Sequence, residues 1–212
     1  MDEDYNAESV ATFNRHAARY AEKYFDLPQY LPHYERLADA LPPGGGRCLD
    51  LACGPGNVAA HLRQRHPQAE IWGVDGAPNM LAQAQARVPG LHTLRADCRD
   101  LSALAPPFDG AAFFFGLSYF DDADAQRVLA GLHRLLRPQA PLLLATLTGD
   151  PAASGFTNTS SGDRVCTIYR RPADVSARLA EAGFAVEELS EMPSPPNASV
   201  ETLDIVLFAR RL

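Results

Sequence analysis

Three aspartates, Asp50, Asp75 and Asp97, each follow or close a short run rich in apolar residues, and each is followed by residues that let a chain turn. Asp50 lies in LDLACGPGN, residues 49–57, where glycines permit a tight turn and a close backbone approach to a ligand. The helix start beyond them offers unpaired N–H groups. Taken alone, Gly54-Pro55-Gly56-Asn57-Val58-Ala59 also fits the GxGxxG/A pattern of dinucleotide sites. Asp50 argues against a dinucleotide, because a fixed carboxylate beside the glycines repels a pyrophosphate and suits a cationic amine. Asp75, in IWGVDGAPNML, can accept both hydroxyls of a ribose, as an acid about 20 residues past the glycines does in nicotinamide-binding folds. Asp97-Cys98, in LRADCRDL, offers a carboxylate to an exocyclic amino group and a backbone N–H to a ring nitrogen. Plainer uses exist: Asp75 can cap the helix that begins near Pro78, and Tyr20, Tyr24 and the cysteines can serve as packing.

Three strand ends meet only if parallel strands are separated by helices, and the pattern supplies this. After Pro42-Pro43-Gly44-Gly45-Gly46, residues 47–52, 71–74, 91–96, 110–115 and 141–147 read as strands. Helices are predicted between them over 57–65, 78–87 and 122–136. The run at 110–115 is apolar on both faces, as a central strand should be. This alternation demands a parallel sheet with helices on both faces and right-handed crossovers. It puts the aspartates in the carboxyl-end crevice where open sheets bind ligands. TGDPAASGFTNTSSGDR has no periodicity and is expected to be a long functional loop. A helix over 172–182 and strands over 185–189 and 203–209 follow, the strands joined by PSPPN as an antiparallel pair. Ahead of the core, Val10, Phe13, Ala17, Tyr20, Ala21 and Tyr24 share one helical face, and Tyr30, Tyr34, Leu37, Ala38 and Leu41 share another. The expected organisation is a helical lid over 1–43 and an α/β domain over 44–212.

Composition narrows the partners. The 212 residues carry a net charge of -7, which repels phosphate backbones, so no nucleic acid is expected. MDEDYNAESV lacks an apolar signal core, and no apolar run approaches the length of a membrane span, so a cytoplasmic protein without a membrane partner is expected. Cys48, Cys53, Cys98 and Cys166 form no CxxC pair and no zinc spacing, so no metal is expected.

The series LDLACGPGN, GVDGAPNML, RADCRDL, FDGAAFFFGLSYF and LHRLLRPQAPLLLATL resembles the class I S-adenosylmethionine-dependent methyltransferases of small-molecule type. The resemblance is close over residues 42–148 and looser beyond. It implies a Rossmann-like, doubly wound sheet of seven strands in the order 3-2-1-4-5-7-6, with strand 7 antiparallel, and S-adenosylmethionine in the crevice. Asp50, Ala52, Gly54 and Gly56 match the family's D-x-G-x-G-x-G signature, with Ala52 in place of the first glycine. PQAP replaces the usual P-G-G turn, and the N/D/S-P-P-F/Y/W signature of amino-methylating DNA enzymes is absent from 116–120. The segment FNRHAARYAEKYF looks like the family's lid helix, with Tyr20 first, then His16 and Arg15, over the methionine end of the cofactor. The implied cofactor-binding set is Asp50, Ala52, Cys53, Gly54, Gly56, Asp75, Gly76, Met80, Asp97, Cys98, Phe115 and Tyr20. No catalytic residue is fixed; His16, Tyr20 and Tyr119 are candidates.

The expected reaction is methyl transfer to a small-molecule acceptor by in-line displacement, in a monomer or homodimer. The acceptor pocket is expected among the lid, residues 116–120 and residues 148–165, lined by Tyr20, Tyr24, Tyr119, Phe120 and Phe156. Alternatives are transfer to protein or RNA, non-catalytic cofactor binding, and a nicotinamide-dependent oxidoreductase.

Overall fold

The computed structural model describes residues 4–158, 162–196, 198 and 201–212. It begins with α1 (Tyr5–Arg15) and α2 (Ala17–Tyr24). The carboxylate of Asp4 caps α1, accepting from the backbone N–H groups of Asn6 and Ala7. The continuous helical face of the sequence is thus broken at His16, whose backbone (φ -101°, ψ 13°) leaves the helix for one residue. A short 3-10 turn, Pro28–Tyr30, leads into α3 (Leu31–Ala40).

The core alternates as expected: β1 (Arg47–Leu51), α4 (Asn57–Arg65), β2 (Glu70–Asp75), α5 (Pro78–Arg87), β3 (His92–Arg95), β4 (Gly110–Phe114), α6 (Asp122–Leu135) and β5 (Pro141–Thr148). The expected long loop folds back on itself as β6 (Gly155–Asn158) and β7 (Arg164–Thr167), an antiparallel hairpin. Its three residues at 159–161 lie outside the described residues. After α7 (Pro172–Glu181) come β8 (Phe184–Pro193) and β9 (Leu203–Arg211). β8 is longer than its apolar run, because its pairing with β9 continues past a register shift between Val186 and Glu188.

The main sheet has the order β3-β2-β1-β4-β5-β9-β8, with β9 antiparallel to β5 and β8. This is the expected seven-strand arrangement, β8 and β9 being the sixth and seventh strands of that sheet. Alternation along β1 assigns its sides: Leu49 and Leu51 join the core under α6 and α7, while Cys48 joins the core under α3, α4 and α5. On the first side lie Phe113, Val128, Leu132 and Leu179; on the second lie Tyr34, Leu37, Leu62 and Ala84. α3 packs on α4 and β5 as part of that second layer, whereas α1 and α2 pack on α5, and α1 also lies on β7. Two helices and a hairpin therefore roof the carboxyl ends of the strands.

Candidate functional site

The turn after β1 is built by backbone conformations that few residues adopt. Ala52, Gly54 and Gly56 all have left-handed φ, at 52°, 53° and 90°. The alanine in the first glycine position of the signature thus takes a conformation that costs an L-residue roughly 1–2 kcal/mol. The turn is tied to β2: the Cys53 N–H donates to the Val74 carbonyl at 3.0 Å, and the Gly54 N–H donates to Asp75 Oδ2 at 2.9 Å. Gly54 lines the space beyond, and a Cβ built on it meets no protein atom within 4 Å. Gly56 lies away from that space. Its Cβ would approach Ala84 Cβ to 3.1 Å, so this glycine serves the close contact of α4 with α5.

Two cavities, of about 420 and 400 Å³, lie side by side and share Phe13, Tyr20, Ala52, Gly54, Phe114, Phe115 and Tyr119. The first contains Asp75, Gly76, Met80, Asp97 and Cys98, and is covered by Asn6, Val10 and Phe13 of α1. The second contains Asp50, Cys53 and Asn57, with Tyr24, Tyr30, Tyr34, Tyr169 and Asp204. The expected cofactor set is therefore gathered into one crevice, except for Gly56. Phe120 lines the first cavity, although it was expected in the acceptor wall, and Phe156 lines neither. Phe156 is exposed, with the Arg164 guanidinium 4.6 Å above its ring. The sequence placed it in a loop; in the hairpin it points outward.

The carboxylates differ in their surroundings. Asp50 is 1% exposed, and its Oδ2 accepts from the Ala59 N–H at 3.0 Å. Burial pushes its carboxyl up to about 8; that N–H opposes the shift and the charge of Asp75 adds to it. Such a group favours a cationic partner, which would return it to the ionised form. Asp75 accepts from Gly54 N–H and, through Oδ1, from the Ala77 N–H at 2.8 Å, so it shapes the entrance to α5 as well as the cavity wall. Burial pushes its carboxyl up, against the hydrogen bonds from the Ala77, Gly54 and Gly76 N–H groups. Asp97 is gripped by Arg99, whose Nε lies 3.0 and 2.9 Å from its two oxygens and whose Nη2 lies 2.6 Å from Oδ2.

Among the catalytic candidates, Tyr20 and Tyr119 line both cavities and His16 lines the second. His16 Nε2 lies 2.7 Å from Asp163 Oδ2, across the contact between α1 and the hairpin. Burial pushes the hydroxyls of Tyr20, Tyr30, Tyr34 and Tyr119 well above the usual phenol range, so they remain protonated donors. Sequence reasoning missed Asn6, Arg99, Tyr169 and Asp204. Arg99 carried one local signal, its place two residues after Asp97; the others come from distant elements. Among the described residues no group of three His, Cys, Asp or Glu is placed to hold a metal ion, and no helix is long and apolar enough to cross a membrane.

Comparison with known proteins places this geometry. Residues 48–139 match a family model for a methyltransferase domain. A trans-aconitate 2-methyltransferase of Methylobacterium nodulans is 38% identical over 91 residues, 39% of this chain and 35% of that protein. An S-adenosylmethionine-dependent methyltransferase of Mesorhizobium loti superposes with a TM-score of 0.65 at 25% identity, covering 86% of this chain and 97% of that one. A Burkholderia thailandensis 1,6-didemethyltoxoflavin N1-methyltransferase, solved with its acceptor and S-adenosylhomocysteine, gives a TM-score of 0.72 at 19% identity, covering 98% and 89%. The chain spans between about a third and a half of the length of the curated relatives it matches. With the sheet order, these matches show the class I methyltransferase fold, and residues 48–139 are similar to a methyltransferase domain.

Proposed function

We propose that the chain transfers a methyl group from S-adenosylmethionine to a small-molecule acceptor. One observation carries the reading: the two cavities meet beside Gly54, one holding groups suited to a nucleoside and the other a buried carboxylate suited to an amine. The Burkholderia neighbour, with S-adenosylhomocysteine bound in the same fold, supports the choice of cofactor. In this reading Asp75 takes the ribose hydroxyls, Asp97 the adenine amino group, the Cys98 N–H a ring nitrogen and Asp50 the amine. Ala52, Cys53, Gly54, Gly76, Met80, Phe115 and Tyr20 shape the remaining wall, and α1 and α2 of the N-terminal region serve as the lid.

When bound, S-adenosylmethionine supplies an electrophilic methyl group on a sulfonium, open to in-line displacement. The chain's own task is to hold the acceptor in line and to exclude water, and orientation of this kind is worth roughly 7–11 kcal/mol in favourable systems. The second cavity holds the acceptor, with Tyr20, Tyr24, Tyr119 and Tyr169 as its aromatic wall and as donors. The net charge of -7 favours small acceptors over nucleic acid, and the four free cysteines suit a cytoplasmic setting. A monomer or a homodimer suffices, because one chain supplies both cavities. Calorimetry with S-adenosylmethionine, S-adenosylhomocysteine and NAD tests the reading. The first two should bind at one site and NAD should not, and Asp75→Ala should weaken binding by roughly 1.5–3 kcal/mol. Binding of NAD alone would return the chain to the oxidoreductases.

A further inference from the structure

Arg99 ties together three carboxylates from three elements. Besides Asp97 at the end of β3, its Nη2 lies 2.6 Å from Asp4 Oδ2, and its Nη1 lies 3.2 Å from Asp124 Oδ2. Asp4 is the capping residue of α1, and Asp124 stands in the first turn of α6. The Arg99 side chain is only 17% exposed although Asp97 and Asp4 are each 43% exposed. Its pull keeps the Asp4 carboxyl below the usual range, with the Asn6 and Ala7 N–H groups pulling the same way. Beside it, the Tyr5 hydroxyl donates to Asp124 at 2.7 Å and accepts from the Asp121 N–H at 2.8 Å, so the start of α1 is docked on α6 at the same place.

The Arg99 backbone N–H donates to Asp97 Oδ1 at 2.8 Å and anchors one oxygen, but the second oxygen can still swing about it; a planar guanidinium fork fixes the plane of the carboxylate. Asp97 owes its orientation toward the first cavity to Arg99, and Arg99 is held in turn by the cap of the lid helix. The three carboxylates face two guanidinium groups, Arg99 and Arg127, the latter 3.1 Å from Asp124 Oδ1, which leaves one excess negative charge. That excess favours an N–H donor from a ligand and disfavours a carbonyl oxygen. We propose that Arg99 is a positioning residue that makes recognition of a 6-aminopurine depend on closure of α1. This rests on the reading of Asp97 as the group that meets the adenine amino group.

The test is calorimetry with S-adenosylhomocysteine and its deaminated analogue S-inosylhomocysteine, which carries a carbonyl in place of the amino group. The wild-type protein should prefer the adenine form by tenfold or more. Arg99→Ala, with Asp97 intact, should cut the preference to threefold or less, and Arg99→Lys should restore part of it. Asp4→Asn should lower it and should also reduce the slowing of hydrogen exchange over Tyr5–Arg15 on ligand addition. Preference lost in Asp97→Ala but kept in Arg99→Ala overturns the role of Arg99 and leaves the adenine reading standing. Preference unchanged in Asp97→Ala overturns the adenine reading itself. Should Arg99→Ala fail to fold, Asp4→Asn decides: full preference with undiminished slowing in α1 overturns the coupling.

Discussion

The hydroxyl of Tyr30 donates to Asp204 Oδ2 at 2.5 Å, and both residues are 1% exposed. The bond joins the turn before α3 to β9 at the floor of the second cavity. Burial pushes the Asp204 carboxyl up, and the hydroxyls of Tyr30 and Thr202 hold it down. Tyr30→Phe removes the closer donor and should cost about 1–3 kcal/mol of stability. The folded-state carboxyl then rises further above its unfolded value, so the loss should grow as pH rises. Urea melts at pH 5 and pH 8 check this; a loss larger at pH 5 would mean that the hydroxyl does not support the charged form.

Asp50 gives a second pH dependence. Burial pushes its folded-state carboxyl from the ordinary aspartate range up to about 8, so the folded protein holds a proton that the unfolded chain releases. That contribution is present in full below the unfolded value and is lost as pH rises toward 8. Without ligand, the protein should lose stability across this window, and Asp50→Asn should flatten the loss. Binding of a cationic amine favours the ionised form, so the affinity for S-adenosylhomocysteine should climb from pH 6 to 7.5. Calorimetry at several pH values reads the climb, which should vanish in Asp50→Asn.

The two glycines of the turn should separate stability from binding. Gly56→Ala combines φ +90° with contacts of 3.1–3.2 Å to Ala84 and Val88, and should cost on the order of 2–3 kcal/mol of stability. Gly54→Ala meets no protein atom within 4 Å, so its stability cost should be the left-handed penalty alone, roughly 1–2 kcal/mol. Its methyl group enters the crevice, so cofactor affinity should fall more than tenfold. Denaturant melts paired with calorimetry on the folded fraction check both halves.

No single acid or base should prove indispensable for turnover. Asp50, Asp75 and Asp97 are committed to the cofactor, and His16 is engaged with Asp163. His16→Ala and Tyr20→Phe should each lower kcat by no more than about tenfold at saturation, or roughly 1.4 kcal/mol. A thousandfold loss in His16→Ala, with the basic limb gone from the pH profile, would make His16 the base.

The core strands and the strand-end aspartates were legible because each rests on a local signal, an apolar run, a glycine turn, or a carboxylate at a fixed offset, whereas the strand order came with the family resemblance. The hairpin of β6 and β7 was not. Three of the four residues of β6 are exposed, so no period of two marks it. The break at His16 leaves the helical spacing on either side intact and was equally silent. Gly56 matched the signature but stands off the crevice, since one glycine pattern serves both ligand approach and helix packing. The Arg99 clasp joins positions 95 residues apart, and only the fold brings them together.

Six of the seven tyrosines line the second cavity, while the single tryptophan, Trp72, stacks on His92 outside both cavities. The chain thereby separates two optical signals. Tryptophan emission should report unfolding of the sheet and stay nearly constant as ligands enter. The near-ultraviolet dichroism of the tyrosines should respond to occupancy of the second cavity, which makes an unlabelled spectroscopic screen for the acceptor practicable.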